Sequence, residues 1–518
     1  MRSLATSSIR WIERVGNYLP HPFFLFIILI FLIFVLSLIL SQTGLEASYV
    51  KINPENNTQA IQTIKVVNLF ERSTLQSIIE NFVTIFIHFA PVGLVILMIL
   101  GVSLAEQVGF FSATIRLLIK NTPRFLITYV VALTSICANI ASDAGIVIAP
   151  ALGAAIFLAV GRHPIAGVCT GYVAAYGGYS ANIFVAGTDV VLAGITESAI
   201  RYISPEIPVH PLMNWYIMMG STVILATVVT LITEKVIIPF LGDYNPPDDF
   251  IHDNKDDPLM VGSNEKKGML YAMIVTVLFL AIILSLTIPN DGLLRNPEGR
   301  LLPKSPLISG IIFILFTYFI CIGAAFGYGS GKIRSAKQVP RMMATGLSSV
   351  AGFLVVCIPA SLFIDLFHRS NLTTIIAIEG AHLFEQIHIG LIPALLLFSM
   401  MCAILNLFIT SGFTQWMITA PIFVPLFFQL GLSPAITQMA FRIGDSTTNI
   451  ISPISAYLPM LLGLLERYRN RDQEIGIGSA LSLMLPYSMA LFIFWIVYFA
   501  IWLALGLDPG PGVTIYGE

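Results

Sequence analysis

Four ionisable side chains lie deep inside otherwise apolar sequence, and these are Asp143, Asp189, Arg442 and Asp445. A fifth, Glu106, lies nearer the end of such a stretch. A charge in apolar surroundings is energetically costly and by default has a function. Arg442 can hold a carboxylate in two parallel hydrogen bonds, whereas Asp445 can bind a cation or a proton. Asp189 is a further candidate for binding a proton or a substrate group.

Arg442 and Asp445 also permit a simpler interpretation. They are three residues apart, so on a helix they share a face and can pair with each other. In that case they form an internal salt bridge without a role in substrate binding. A comparable choice applies to Trp416, whose indole can stack on an aromatic substrate or serve only for packing within a membrane helix.

The apolar stretches around these residues are long enough to cross a bilayer, which needs about 20 helical residues. Only 11% of the 518 residues are charged and 56% are hydrophobic, whereas about 25% of a typical soluble protein is charged. Stretches without Asp, Glu, Lys or Arg occur at 15–45, 81–105, 164–188, 207–233, 268–290, 305–331, 342–364, 386–441 and 475–507. The composition therefore predicts an all-α, polytopic membrane protein whose surroundings are the lipid bilayer.

Two short polar segments interrupt this apolar sequence, YGGYSAN at 176–182 and GDSTTN at 444–449. Within a membrane, non-helical chain is tolerated only where it is buried in protein or lines a wet cavity. Both segments are therefore predicted to be helix breaks whose oxygens replace water around a sodium ion. The candidate ligands are Asn182, Asn449, Ser180, Ser446 and Thr447. Alternatively, these small polar residues only hold helices together.

The two halves of the chain carry similar polar and proline positions in the same order. The first half has Asn139, Pro150, Pro164 and the segment 177–182, and the second has Asn406, Pro421, Pro434 and the segment 444–449. Such correspondence is typical of a secondary transporter with broken helices, although coincidence among common membrane residues is the alternative. We divide the chain into two halves, 1–242 and 269–518, joined by a linker at 243–268. The first half is predicted to contain a hairpin at about 125–160 and a break at 176–189. The second is predicted to contain a hairpin at about 390–431 and a break at 444–453.

Lys and Arg concentrate in some connections and not in others, which predicts orientation because cytoplasmic loops carry the excess. The cytoplasmic candidates are Arg2, Arg10, Arg14, Arg116, Lys120, Arg124, Lys332, Arg334, Lys337, Arg341, Arg467, Arg469 and Arg471. The segments 43–79 and 289–304 are predicted to be external. This assignment places the N-terminus in the cytoplasm.

Enzymatic functions find no support in sequence motifs. There is no HExxH, no GxxxxGK[ST] loop and no GxSxG elbow. Asp143 and Asp189 can be imagined as an acid and base pair of an intramembrane enzyme, but no nucleophile accompanies them. The net charge of -2 argues against a nucleic-acid partner. We therefore expect no enzymatic activity and no cofactor, and a channel is a further alternative.

Several long segments are similar to the p-aminobenzoyl-glutamate transporter (AbgT) family, and together they extend over nearly the whole chain. They are ERVGNYLPHPFFLF (13–26), FAPVGLV (89–95), GRHPIAG (161–167), GGYSANIFVAGTDVVLAGIT (177–196), NWYIM (214–218), DGLLRNPEG (291–299), QWMITAPIFVP (415–425), FRIGDSTTNIISP (441–453) and MLPYS (484–488).

This resemblance implies a dimeric inner-membrane protein with about nine membrane helices per subunit and two opposed re-entrant hairpins in an inverted repeat, as in the ion-transporter superfamily. It also implies uptake of p-aminobenzoyl-glutamate, or export of sulfonamide antimetabolites, driven by sodium or protons. The positions that match the family's implicated residues are Asp189, Asn406, Trp416, Pro434, Arg442, Asp445 and Pro453.

Our hypothesis from these observations is a cation-coupled secondary transporter of an aromatic carboxylate. Asp445 and Asn406 bind the coupling cation, Na⁺ or H⁺. Arg442 binds the substrate carboxylate, Trp416 its aromatic ring, and Asp189 a proton or an amine. The alternative is an exporter of sulfonamides with the same fold, because residues do not reveal the direction of transport.

Phe413 departs from the family pattern, in which a small residue, often serine, precedes the tryptophan by three positions. A phenyl group at this position narrows the pocket and removes a hydroxyl. The departure affects the expected substrate and not the expected fold.

Overall fold

The computed structural model describes residues 20–52, 59–120, 122–141, 143–246, 260–471 and 473–517. Arg2, Arg10 and Arg14, and the part of the predicted linker at 247–259, lie outside the described residues. The side chain of Asp143 is likewise not described.

Helices account for most of the described chain. Those before the linker are α1 (Pro22–Thr43), α2 (Arg72–Ile87), α3 (Ala90–Gln107), α4 (Phe110–Lys120), α5 (Ile127–Cys137), α6 (Asp143–Ala159), α7 (Pro164–Tyr172), α8 (Gly187–Ile200), α9 (Trp215–Ile232) and α10 (Ile238–Leu241). Those after it are α11 (Ser263–Thr287), α12 (Pro306–Ser309), α13 (Ile311–Gly329), α14 (Gln338–Arg369), α15 (Leu372–Ile387), α16 (Leu391–Asn406), α17 (Gly412–Gln429), α18 (Pro434–Asn449), α19 (Leu458–Arg467) and α20 (Ile477–Ala504). Short 3₁₀ turns occur at Arg124–Leu126 and Ala138–Ala141, and π-helical turns at Val173–Gly177 and Thr233–Ile237.

Seven helical segments of the described chain are long and apolar enough to cross a membrane. They are Pro22–Thr43, Arg72–Gln107, Trp215–Leu241, Ser263–Thr287, Ile311–Gly329, Val350–Arg369 and Ile477–Ala504. Ser263–Thr287 leaves most of its apolar surface uncovered by protein, as a lipid-facing helix does. The polytopic helical fold is confirmed, while the count of nine membrane helices stays a prediction.

One small β-hairpin is an exception to the expected all-α fold. Strands β1 (Glu46–Ile52) and β2 (Gln59–Lys65) pair antiparallel, with Glu46 opposite Lys65. Both strands are rich in β-branched residues, which favour extended chain. The hairpin lies in a polar segment for which the sequence predicts only an external loop.

A pair of consecutive helices lies in each of the two ranges for which a re-entrant hairpin is predicted, and that the pairs are re-entrant stays a prediction. The first consists of α5 and α6, joined at Ala138–Ala141, and the second consists of α16 and α17, joined by residues 407–411. The division of the chain into two repeated halves stays a prediction. One correspondence is nevertheless visible, since Asn139 donates to the Gly178 carbonyl (3.4 Å) and Asn406 to the Asp445 carbonyl (2.6 Å).

The first predicted break is present and the second is displaced. After the π-helical turn at Val173–Gly177 the chain is non-helical until α8 begins at Gly187. Residues 444–449, in contrast, form the last turns of α18, so the prediction of a break at these positions is wrong. The non-helical chain follows at 450–457 and contains Pro453. Proline lacks the amide hydrogen that would continue a helix and restricts the residue before it.

Gly444 lies within α18 and allows that helix to pack closely against α16. A Cβ atom at Gly444 would collide with the backbone carbonyl of Ser399 on α16. The hydroxyl of Thr447 donates to the Ile443 carbonyl (2.8 Å) and therefore turns toward its own helix. Small residues of this kind permit helix backbones to approach closely in membranes.

Gly444→Ala is accordingly expected to destabilise the protein by about 1–3 kcal/mol, the usual effect of overpacking. The measurement is the thermal unfolding midpoint in detergent. Gly463→Ala on α19 is the matched control, because a Cβ there meets no heavy atom within 4 Å. Equal unfolding midpoints for the two variants would show that the α16–α18 contact is not tight.

The helix packing places α8 between two groups of helices. On one side α8 contacts α3, which itself packs against α13 and α14. On the other side α8 contacts α17 and α18, and α18 also packs against α16. The side chains predicted to bind substrate and cation therefore converge where α8, α17 and α18 meet.

Candidate functional site

A buried ion pair joins α8 to α18. Arg442 Nη1 donates to Asp189 Oδ1 at 2.7 Å, and both side chains are 1% exposed. The second carboxylate oxygen of Asp189 accepts from the Ala186 amide at 2.7 Å, which fixes the carboxylate at the start of α8. The alternative interpretation, in which Arg442 pairs with Asp445, is therefore not what the structure shows. Among the described residues Asp445 has no ion pair within 4.0 Å. An acid on a neighbouring helix reaches the guanidinium while Asp445 faces elsewhere.

A chain of amide and hydroxyl groups continues from Arg442. Its Nε donates to Gln438 Oε1 (3.2 Å), which also accepts from Asn214 (2.8 Å). Gln438 Nε2 in turn donates to Thr196 Oγ1 at 2.8 Å. Gln438, Asn214 and Thr196 are not among the residues predicted from the sequence. The available signal was the spacing, since Gln438 precedes Arg442 by one helical turn on the same face.

Trp416 lies at the far end of this network. Its indole nitrogen donates to Thr196 Oγ1 at 3.0 Å, and its ring stacks on Phe441 with centroids 4.6 Å apart. The side chain is 0% exposed. In this conformation the indole faces protein, so a stacking role toward substrate requires a rearrangement and stays a prediction.

A cavity of about 540 Å³ lies beside the ion pair. Its wall is formed by α3, α14, the tip of the second hairpin and both non-helical segments. The predicted residues that line it are Asp445, Asn449 and Phe413, together with Glu106. Phe413 packs edge to face against Phe353, with ring centroids 5.5 Å apart. Asp189, Arg442 and Trp416 do not line this cavity.

Asp445 is held at the wall of the cavity by its neighbours. The residue is 3% exposed, and its Oδ1 has no hydrogen-bond partner among the described residues. A Cβ atom at Gly412, the first residue of α17, would lie 2.8 Å from either carboxylate oxygen. The positive end of the α17 dipole therefore lies against the carboxylate.

Asn406 connects the second hairpin to the end of α18. Its amide nitrogen lies 2.8 Å from Asn449 Oδ1 and 3.1 Å from Thr448 Oγ1, in addition to the Asp445 carbonyl. Its own Oδ1 is buried and has no partner among the described residues. The structure thus brings together three of the predicted cation ligands, Asn406, Asp445 and Asn449.

The polar segments of the two halves contact each other directly. The Ser180 amide donates to Ser446 Oγ at 3.2 Å, and Asn449 donates to the Tyr176 carbonyl at 3.5 Å. Asn182 is engaged locally, since its Oδ1 accepts from the Phe184 amide at 3.0 Å.

The two prolines at the family's implicated positions lie at the start of α18 and in the chain that follows it, whereas Pro150 and Pro421 lie inside helices. Pro434 is the first residue of α18, and Pro453 lies in the non-helical chain after it.

No group of three or more His, Cys, Asp or Glu residues suited to a metal occurs in the part of the chain that the structure describes. The polar groups around Asp445 present oxygen atoms and amides. Oxygen atoms are suitable ligands for a hard monovalent cation, and the Asp445 carboxylate can alternatively take a proton.

Comparison with known proteins agrees with this architecture. The model of the AbgT transporter family matches residues 8–516. The p-aminobenzoyl-glutamate transport protein of Escherichia coli (strain K12) is 36% identical over 504 residues, which covers 97% of this chain and 96% of that protein.

Two solved structures are also similar. The Alcanivorax borkumensis YdaH transporter superposes with a TM-score of 0.86 at 32% identity, covering 95% of this chain and 100% of that one. Neisseria gonorrhoeae MtrF, described within a class of antimetabolite efflux pumps, superposes with a TM-score of 0.89 at 36% identity, covering 95% and 97%. The family match and these similarities extend over nearly the whole length, and the chain belongs to the AbgT family of membrane transporters.

Proposed function

We propose that this protein is a cation-coupled secondary transporter of p-aminobenzoyl-glutamate or a related aromatic carboxylate. The observation that carries the proposal is the buried Asp189–Arg442 pair beside a cavity that presents Asp445. The sequence similarity to the Escherichia coli p-aminobenzoyl-glutamate transport protein supports the choice of substrate.

In this mechanism the substrate carboxylate takes the place of Asp189 on Arg442. A guanidinium that already holds one carboxylate in hydrogen-bond geometry is shaped to accept another. Once the contact between Trp416 and Phe441 opens, the indole ring of Trp416 can stack on the aromatic ring of the substrate. Asp189, released from Arg442, can then take a proton or accept a hydrogen bond from an amine. Asp445, with Asn406 beside it, binds Na⁺ or H⁺.

The experiment is uptake of radiolabelled p-aminobenzoyl-glutamate into proteoliposomes, with sodium and pH gradients imposed separately. Accumulation that depends on one of the two gradients is expected. Flux that ignores both gradients and does not saturate would indicate a channel and overturn the proposal.

Export of antimetabolites such as sulfonamides is the second candidate. The similarity to MtrF favours it, as does the narrowing of the cavity by Phe413 and Phe353, because sulfonamides are smaller than p-aminobenzoyl-glutamate. Cells with and without the gene distinguish the two candidates. Lower sulfonamide accumulation in expressing cells indicates export, and higher p-aminobenzoyl-glutamate accumulation indicates uptake.

Phe413→Ser is expected to change selectivity between these ligands. Removing the ring enlarges the cavity, so the KM for p-aminobenzoyl-glutamate should fall by about tenfold relative to that for a sulfonamide. Competition assays with both ligands measure the ratio. Phe313→Ser on α13, where the side chain is 72% exposed, is the control and should leave the ratio unchanged.

We further propose a homodimer in the cytoplasmic membrane with the N-terminus in the cytoplasm. The described loops rich in Lys and Arg, at 332–341 and 467–471, support this orientation. Single cysteines introduced at Lys337 and Asp291 should react with a membrane-impermeant maleimide from opposite sides.

A further inference from the structure

Polar contacts join α8 to α18 at two levels. At the first level, Asp189 on α8 pairs with Arg442 on α18 at 2.7 Å. At the second, Thr196 on α8 accepts from Gln438 on α18 at 2.8 Å. Thr196 follows Asp189 by about two helical turns, and Gln438 lies one turn before Arg442 on the same face of α18. The ion pair and the second contact are therefore neighbours along one helix interface.

Gln438 connects Arg442 to Thr196 through the two ends of its amide. Its Oε1 accepts from Arg442 Nε at 3.2 Å and from Asn214 at 2.8 Å, whereas its Nε2 donates to Thr196. Because an amide oxygen has two lone pairs, both of its acceptor positions are occupied. The side chain is buried. A change at the Arg442 guanidinium therefore alters the hydrogen bonds that position the Gln438 amide.

Thr196 holds the indole of Trp416 in its closed position. The Thr196 hydroxyl donates to the Leu192 carbonyl at 2.9 Å, and it accepts from Gln438 and from Trp416 Nε1, the latter at 3.0 Å. A hydroxyl has one donor and two acceptor positions, so all three are used. Both Thr196 and Trp416 are fully buried. This arrangement keeps the indole stacked on Phe441, away from a substrate ring.

A substrate carboxylate on Arg442 competes with Gln438 for the guanidinium. A guanidinium binds a carboxylate in two parallel hydrogen bonds, and one of its two carboxylate-binding edges includes Nε. Asp189 is bonded at Nη1, while Nε donates to Gln438. An incoming carboxylate that takes the Nε edge removes this donor from Gln438 Oε1. The Gln438 amide then loses one of the bonds that direct its other end to Thr196.

We propose that Gln438 is a positioning residue that links the two parts of the substrate site. Without substrate, it keeps Trp416 closed through Thr196. It releases the indole when a substrate carboxylate replaces Asp189 on Arg442. The aromatic ring of the substrate therefore binds tightly only after the carboxylate does. This inference rests on the proposed function, and it adds an order of recognition that favours ligands carrying both groups.

The ring half of p-aminobenzoyl-glutamate provides the test, because p-aminobenzamide has the ring but no carboxylate. Its inhibition of radiolabelled p-aminobenzoyl-glutamate uptake into proteoliposomes is compared in the wild type and in Gln438→Met, which has a side chain of similar length without the amide. Inhibition should strengthen by about tenfold in Gln438→Met, because the indole no longer has to be released first. A merely structural defect would not improve the binding of an inhibitor.

The complete substrate is the internal comparison. The KM for p-aminobenzoyl-glutamate should change by less than about threefold in Gln438→Met, because the substrate's own carboxylates already remove the restraint in the wild type. A KM that falls as much as the inhibition constant of p-aminobenzamide would show that carboxylate and ring are not coupled through Gln438.

Acrylamide quenching of Trp416 fluorescence reports the position of the indole in purified protein without transport. The contribution of Trp416 is obtained by subtracting the signal of Trp416→Phe in the same background. In the wild type, Trp416 should be protected until p-aminobenzoyl-glutamate or glutamate is added. In Gln438→Met it should be quenched without any ligand, and continued protection in this variant would contradict the proposal.

A matched pair at Thr196 separates the hydroxyl from its packing. Valine has the shape of threonine without the hydroxyl, so Thr196→Val should behave like Gln438→Met in both assays. Thr196→Ser retains the hydroxyl and should behave like the wild type. Ser198→Ala on the same helix is the control, because the Ser198 hydroxyl donates to the Gly194 carbonyl of its own helix at 2.9 Å.

The results separate failure of this inference from failure of the proposed function. If the wild type does not take up p-aminobenzoyl-glutamate, the proposed function fails. If the wild type transports it but Gln438→Met and Thr196→Val leave inhibition and quenching unchanged, only the positioning role of Gln438 is overturned. If Gln438→Met shows no cooperative unfolding transition, the comparison of Thr196→Val with Thr196→Ser decides alone.

Discussion

Replacing Arg442 with alanine is expected to reduce uptake of p-aminobenzoyl-glutamate by about 100-fold or more. Two effects combine, because the substrate carboxylate loses its partner and Asp189 becomes a buried charge without compensation. Removal of one member of a buried pair typically costs about 3–5 kcal/mol. Radiolabelled uptake, normalised to the amount of protein in the membrane, is the measurement.

A structural role and a substrate role of Arg442 can be separated with a double variant. Asp189→Asn combined with Arg442→Gln leaves neutral side chains of similar size, so the unfolding midpoint should recover toward that of the wild type. Uptake should remain absent. Arg442→Lys preserves the positive charge but not the planar guanidinium group. This variant should therefore retain more of the wild-type stability than of the wild-type transport activity. Normal uptake by the double variant would show that the pair is only structural.

Asp445→Asn is expected to eliminate the dependence of uptake on the cation gradient, with a loss of accumulation of about 100-fold. The carboxylate lines the cavity, and its Oδ1 has no hydrogen-bond partner among the described residues, so a cation can reach it. The amide is nearly the same size, so packing against Gly412 is preserved. Gradient-driven uptake and substrate counterflow are measured side by side.

Counterflow serves as the internal control for Asp445→Asn, because exchange of substrate does not need net cation movement. If the Asp445→Asn variant retains substrate counterflow but loses gradient-driven accumulation, Asp445 acts in coupling to the cation. A variant that accumulates substrate with the cation dependence of the wild type would contradict this role.

The sequence singled out several residues that the structure brings close together, but not their partners. Asp189, Arg442 and Asp445 stood out because charges in apolar sequence are costly. The alternative interpretation, a pair of Arg442 with Asp445, is not what the structure shows. The partner of Arg442 is Asp189, which lies 253 residues away, and only the packing of α8 on α18 brings the two together. Gln438 and Thr196 escaped notice because uncharged polar residues carry no comparable signal.

The positions of the helix breaks were likewise only partly predictable from the sequence. Glycine in a polar segment predicts a break equally well at Gly178 and at Gly444, yet the first lies where the helix ends and the second lies within a helix. Gly444 packs against the backbone of Ser399 on a neighbouring helix. Local sequence does not contain this contact, and so the second break was placed several residues too early.

The contact between Ser180 and Ser446 has a consequence for synthesis of the protein. The Ser180 amide receives its partner only after 266 further residues have been made. At about 5–20 residues per second, the interval is roughly ten seconds to one minute. Throughout that time the non-helical chain around Ser180 lacks the hydroxyl that satisfies it in the finished protein. Water or the insertion machinery must therefore solvate this segment until the second half of the polypeptide arrives.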